Sequence, residues 1–218
     1  MNILDGIKAC LFDMDGTIVD SMWVWRQIDI DYLKKYGFEV PEGMSKDFEG
    51  ASMRDVARYF KTRFNIEDEI DEIVEEWNDM AIFQYTHKVT LKPHAKEFLM
   101  FLKDKGIKIG LYTSNSLVLA EATLKAHGIY DYFDYITAGC DEIKGKPAPD
   151  GYIYTADKLN VSPNECLVFE DLVMGIIAGK EAKMRTCAIK DDYSDYQENE
   201  KKELADYFIE DYYEVFKG

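Results

Sequence analysis

Ile7-Lys8-Ala9-Cys10-Leu11-Phe12-Asp13-Met14-Asp15-Gly16-Thr17 decides the reading of this chain. An apolar run of strand composition ends on two carboxylates one residue apart, and Gly16 lets the chain bend sharply after them. In an extended segment, residues two apart share a face. Asp13 and Asp15 therefore converge where the strand ends. Carboxylates that close repel each other unless a cation or a shared proton relieves them. The pattern points to a metal-assisted nucleophile beside an acid/base group. A polar turn after an edge strand uses the same residue types, so the residues downstream decide between the two.

Downstream of this turn the apolar spacing is helical for about 65 residues. It predicts helices over 21–36, 52–64 and 66–86, with Gly37 ending the first and no strand between Ser21 and Gln84. The acidic run Glu67-Asp68-Glu69-Ile70-Asp71-Glu72 reads as the solvated face of the third helix. After 91–93 the rhythm changes. Helices are predicted over 94–104, 117–127, 150–159 and, after the strand at 166–169, to about 182. Strands are predicted over 107–112, 135–137, 166–169, 185–189 and 207–209. Such alternation implies an α/β fold: a parallel sheet with helices on both faces. An all-α block interrupts it after the first strand.

The length of 218 residues allows one or two domains with ample core. A formal charge of −16 argues against nucleic acid and against anionic membrane surfaces, both of which attract Lys and Arg clusters. No stretch reaches the roughly 20 apolar residues that span a bilayer. The first residues lack the basic start and long apolar run of a signal peptide, so a cytoplasmic location is expected. Cys10, Cys140, Cys166 and Cys187 are scattered and read as reduced, structural thiols. His87, His94 and His127 do not cluster.

Four polar groups follow predicted strands: Asp13 and Asp15, Thr113-Ser114-Asn115, Lys146-Pro147, and Glu170-Asp171. Right-handed crossovers put the carboxyl ends of parallel strands on one edge, where ligands of open α/β sheets bind. Together the four groups suit phosphoryl transfer. Asp13 and Asp171, with Glu170, offer hard oxygen ligands for Mg²⁺. A carboxylate beside that ion can attack phosphorus. The Thr113 hydroxyl and the N–H groups after it suit phosphoryl oxygens, and Lys146 supplies positive charge. Asp15 suits protonation of a leaving alkoxide and then deprotonation of water. Taken singly, each has a plainer reading. Thr113-Ser114-Asn115 precedes a helix that Ser116 would cap, Lys146 sits in a Pro-containing turn, and Glu170-Asp171 suits a strand end.

Asp13-Met14-Asp15-Gly16-Thr17, Thr113-Ser114-Asn115, Lys146-Pro147 and Glu170-Asp171 with Gly175 resemble the four motifs of the haloacid dehalogenase superfamily. The likeness covers essentially the whole chain. The helical block resembles the α-helical cap of the subgroup containing β-phosphoglucomutase and phosphoglycolate phosphatase. The resemblance implies a Rossmann-like core (1–19 and 88–218), a cap domain (20–87) hinged near 17–20 and 89–92, bound Mg²⁺ and an aspartyl-phosphate intermediate. It implies Asp13 as nucleophile, Asp15 as general acid/base, and Thr113 and Lys146 as phosphoryl ligands. Asp13, Asp171, Glu170 and the Asp15 carbonyl are implied on the metal side. Ser114, Asn115, the cap loop Gly50-Ala51-Ser52 and Trp25 are implied on the substrate side.

The departures from the pattern are chemical. The dehalogenases lack the second Asp of the first motif, so Asp15 argues against carbon–halogen chemistry. The mutases carry a cap histidine where Trp25 stands and a basic pair where Glu49 and Met53 stand. They also place a lysine where Ser116 stands. The expected activity is therefore a Mg²⁺-dependent phosphatase for a small phosphorylated metabolite, such as a sugar phosphate, acting as a monomer. The alternatives are a phosphomutase and, from another class, a phospho-acceptor signalling or binding protein without turnover.

Overall fold

The computed structural model describes residues 3–41, 44, 53–139 and 143–217. The chain opens with β1 (Ala9–Phe12) and turns into β2 (Val19–Asp20). Three helices follow, α1 (Trp23–Lys35), α2 (Met53–Phe64) and α3 (Ile70–His87). β3 (Thr90–Leu91) then pairs antiparallel with β2. The remainder alternates: α4 (Ala95–Asp104), β4 (Lys108–Tyr112), α5 (Leu117–Ala126), β5 (Tyr135–Thr137), α6 (Asp150–Lys158), β6 (Cys166–Glu170) and α7 (Val173–Glu181). It ends with β7 (Arg185–Ile189), α8 (Glu198–Leu204), β8 (Tyr207–Ile209) and α9 (Tyr213–Phe216).

Six strands form one parallel sheet in the order β5-β4-β1-β6-β7-β8. Every residue of β1 is buried, as expected of a central strand covered on both faces. The pleat sorts its side chains. Ala9 and Leu11 join Tyr152 and Ala156 of α6 and Ala178 of α7 on one face. Cys10 and Phe12 join Phe98 and Leu102 of α4 on the other. There Phe12 stacks on Phe169 with ring centroids 4.8 Å apart, and Tyr212, just before α9, closes the cluster against Phe98 at 5.1 Å. The chain leaves β1 toward β4 on one side and later returns to β6 on its other side. The crevice at the carboxyl end of β1 is thus a topological switch point.

The helical block has its own apolar centre. Tyr32, Phe60 and Trp77, one from each helix, meet there: Trp77 lies edge to face with Phe60 at 5.0 Å and with Tyr32 at 5.5 Å, and Tyr32 and Phe60 are tilted at 6.3 Å. The third helix begins later than its apolar spacing predicts. Asn65 takes a left-handed φ of 49°, and Glu69 with Glu72 forms a reciprocal cap, so the helix starts at Ile70. Most of the acidic run therefore precedes or caps the helix. Lys61 bonds the Glu67 and Asp68 carbonyls and pairs with Glu69.

Asp29 on α1 has no cation facing it among the described residues, and burial alone raises its carboxyl to about 7. The unfolded value is about 4. Between those values the native state binds more protons, so stability falls as pH rises through the window, and the full penalty is in place above it. Asp29→Asn is expected to stabilise the fold by about 1–2 kcal/mol at pH 8 and by nothing at pH 4. Urea unfolding at both pH values checks this, and an equal gain at both would rule out titration as the source.

Candidate active site

Asp13 continues β1, its N–H donating to the Phe169 carbonyl at 3.1 Å. Met14 turns into the core, so Asp13 and Asp15 share the opposite side, as period-two geometry requires. Gly16 then takes a φ of +70°. A Cβ there would lie 2.2 Å from Asp171 Oδ2, so only glycine lets the turn approach that carboxylate. The Thr17 hydroxyl donates to Asp171 Oδ1 at 3.2 Å.

The predicted groups meet at this edge. Lys146 donates to Asp13 Oδ1 and lies 2.6 Å from Glu170 Oε1. Its ammonium sits over the rings of Tyr112 and Tyr152 at 5.0 and 5.5 Å. Glu170 is fully committed. Oε1 also accepts from the Tyr152 hydroxyl at 2.6 Å, and Oε2 accepts the Asp171 N–H at 3.2 Å. Gly175 makes room for that carboxylate, since a Cβ there would fall 1.8 Å from Oε1. The Asp171 carbonyl accepts from Ser194 Oγ at 3.0 Å, and Ser194 accepts from the buried ammonium of Lys201 at 3.0 Å.

Asp15 lies apart from this group. Its Oδ1 accepts from Ser21 Oγ at 2.6 Å and from the Tyr85 hydroxyl, and its Oδ2 accepts from the Asn115 amide at 2.6 Å. Thr113 is buried beneath the cleft. Its hydroxyl accepts the Asn115 N–H at 3.1 Å, so that donor turns back into the loop and away from any ligand. Gly139 braces the same loop, its N–H donating to the Asn115 carbonyl at 2.9 Å. Ser116 caps α5 as its position predicts. A cleft of about 210 Å³ opens over the site, lined by Asp13, Asp15, Ser114, Asn115, Lys146 and Glu170 on its polar side. Met22, Trp25, Leu172 and Met174 form the apolar side. Gly50, Ala51 and Ser52 lie outside the described residues.

Burial dominates the electrostatics. It raises Asp13 to about 8, with Lys146 opposing the rise and Glu170 and Asp15 adding to it. Burial also raises Asp15, against the donors from Ser21 and Tyr85. Burial by itself would lower Lys146, yet Asp13 and Glu170 outweigh it and hold the ammonium well above its ordinary value. Asp171 is pushed far up by burial, then by Asp13 and Glu170. Oxygens of Asp13, Glu170 and Asp171 lie within 4.8 Å of one another, and Asp171 Oδ2 is buried with no hydrogen-bond partner among the described residues. Buried carboxylates in excess of nearby cations, one with an orphaned oxygen, fit a hard divalent cation. The free capacity rests with Asp13 and Asp171, because both Glu170 oxygens already accept protein donors.

Sequence reasoning missed Ser21, Tyr85 and Tyr152. Tyr85 carried the one usable signal: it ends the buried stripe Ile73, Trp77, Ala81, Tyr85 of α3, where a phenol needs a polar partner. Among the described residues, no helix is long and apolar enough to cross a membrane.

A model of the haloacid dehalogenase-like hydrolase family matches residues 7–183. Hexitol phosphatase B of Escherichia coli (strain K12) is 30% identical over 186 residues, covering 84% of this chain and 83% of that one. The bifunctional riboflavin kinase/FMN phosphatase of Arabidopsis thaliana is 30% identical over 190 residues. That match covers 86% of this chain, which spans 50% of that longer relative. Among solved structures, β-phosphoglucomutase from Clostridium difficile aligns over 97% of this chain and 94% of that one, with a TM-score of 0.77 at 25% identity. With acidic groups, a lysine and a hydroxyl-bearing loop gathered at one sheet edge, and with this match across most of its length, the chain belongs to the haloacid dehalogenase-like hydrolases.

Proposed function

We propose that the chain is a Mg²⁺-dependent phosphatase that hydrolyses a small phosphorylated metabolite through an aspartyl-phosphate intermediate. The observation that carries this reading is the Lys146 ammonium bound between Asp13 and Glu170, with the orphaned Asp171 oxygen beside them. Asp13 and Asp171 would hold Mg²⁺, which when bound supplies countercharge to phosphoryl oxygens. Asp13 attacks phosphorus, and the bond to the leaving alkoxide breaks as Asp15 delivers its proton to that oxygen. Asp15 then takes a proton from water as the water oxygen attacks phosphorus. The bond from phosphorus to Asp13 breaks, and inorganic phosphate leaves. Lys146 offsets charge on the transferring group, and Glu170 and Tyr152 keep it aimed.

The alcohol part of the substrate packs on Met22, Trp25, Leu172 and Met174. Lys146 is the one cation among the described residues lining the cleft, and two carboxylates already hold it. Arg54 and Arg58 on α2 pair with Asp71 and Asp55. This supply of positive charge suits a substrate with one phosphate and a neutral body, such as a sugar or polyol monophosphate. It disfavours the second phosphate that a mutase must hold. Residues 20–87 act as a cap over a core of 1–19 and 88–218, and all the groups named come from one chain, which suffices as a monomer.

A panel of phosphomonoesters tests the reading. Phosphate release is expected with Mg²⁺, is expected to stop with EDTA and to return when Mg²⁺ is restored. A hexose 1-phosphate is expected to give free hexose. Accumulation of the 6-phosphate would establish the mutase instead, and a long-lived phosphoprotein without release would establish an acceptor module.

A further inference from the structure

Tyr85 belongs to the helical block, yet its hydroxyl donates to Asp15 Oδ1 in the core. Its side chain is fully buried. The ring lies 6.5 Å from that of Trp25, which lines the cleft. The first three members of its stripe, Ile73, Trp77 and Ala81, are buried apolar residues of the same helix. The fourth, Tyr85, carries a hydroxyl, and that hydroxyl lies on a carboxylate that faces the cleft.

The donors around Asp15 differ in kind. The Asn115 amide on Oδ2 can only donate, so that oxygen remains an acceptor. The Oδ1 partners, Ser21 and Tyr85, are hydroxyls, which donate to a carboxylate and can rotate to accept from a carboxylic acid. Oδ1 is therefore the oxygen able to carry a proton without losing its partners. A group that gives its proton to an alkoxide and regains one from water needs that tolerance.

We propose that Tyr85 is a positioning residue that holds Asp15 Oδ1 for proton delivery to the leaving group. The inference rests on the phosphatase reading above. Its test is kcat/KM over phosphomonoesters of graded leaving-group pKa, since this ratio covers steps only through release of the alcohol. Tyr85→Phe keeps the ring and its packing. It is expected to lose about tenfold on alkyl phosphates and less than about twofold on nitrophenyl phosphate, whose leaving group needs no proton. In an Asp15→Asn background the same substitution is expected to change kcat/KM less than about twofold, because nothing remains to position. Its Tm is expected to stay within a few degrees of the parent.

A purely structural role would lower all substrates alike and would persist without Asp15. Equal losses across the series, no loss on any substrate, or a tenfold loss retained in the Asp15→Asn background would each overturn the inference. If Asp13→Asn is inactive while one of those results is found, the phosphatase reading stands and only the role of Tyr85 falls. If the parent releases phosphate from no phosphomonoester, both fall.

Discussion

Asp13→Asn is expected to release phosphate at least about 10⁴-fold more slowly than the parent while unfolding within a few degrees of it. The substitution changes one atom at the end of β1. An amide neither attacks phosphorus as a carboxylate does nor survives as a leaving group in the second half of the cycle. The fold should tolerate it, because Lys146 keeps Glu170 as a partner at 2.6 Å. The central strand is held by ladders to both neighbours and by the Phe12 and Phe169 stack, none of which involves the carboxylate. Phosphate release and thermal unfolding measured on one preparation give the answer. Retention of even a tenth of the activity would place the nucleophile elsewhere.

Lys146→Met is expected to harm both stability and activity. The stem keeps its length, but Asp13 and Glu170 lose the cation between them. Side-chain exposure is 12% for Lys146, 9% for Asp13 and 2% for Glu170, so the two carboxylates are left with little water to screen them. Breaking a buried pair by removing one partner costs about 3–5 kcal/mol. For a chain of this size that corresponds to a Tm lower by roughly 10 °C, read in EDTA. Turnover should fall at least about 10³-fold as well, since the transferring group loses a preorganised charge. Lys146→Arg should restore little. The ammonium lies against two aromatic rings and between two carboxylates, a slot for a compact cation that a planar guanidinium does not match. An unchanged Tm in the Met variant would mean that the two carboxylates do not depend on this lysine.

Much of this arrangement is readable before any coordinates. Cys10-Leu11-Phe12 and Cys166-Leu167-Val168-Phe169 are unbroken apolar runs because both sheet faces are covered, and each hands its acidic residues to the same edge. The order of those runs around the helical block is enough to suggest the interrupted α/β layout. What escapes reading is long-range side-chain pairing. Helical periodicity marks Tyr85 as a buried residue of α3, but nothing in the spacing says that its hydroxyl ends on a residue 70 positions earlier. The backbone N–H groups after Thr113 look free for phosphoryl oxygens, yet in the fold the Asn115 N–H turns back to the Thr113 oxygen. Such a local turn competes with any distant use of the same donor. β2 and β3 hold two residues each, too few for alternation to register. The segment Asp192–Gln197 carries no clear period because it is a 3₁₀ stretch with a kink at Ser194.

The placement of β1 also bears on how the chain is made. Ala9 pairs with Lys108 on one side and with Cys166 on the other. During synthesis the first strand leaves the ribosome long before either neighbour exists. It must wait as an unpaired apolar segment while the helical block, rich in local contacts, can already fold. Asp13, at the end of β1, is thus translated well before β4 and β6 and acquires its surroundings only once both have formed. Nascent chains halted before residue 166 should remain accessible to chaperones around Ala9–Phe12, and protection there should appear only after β6 has emerged.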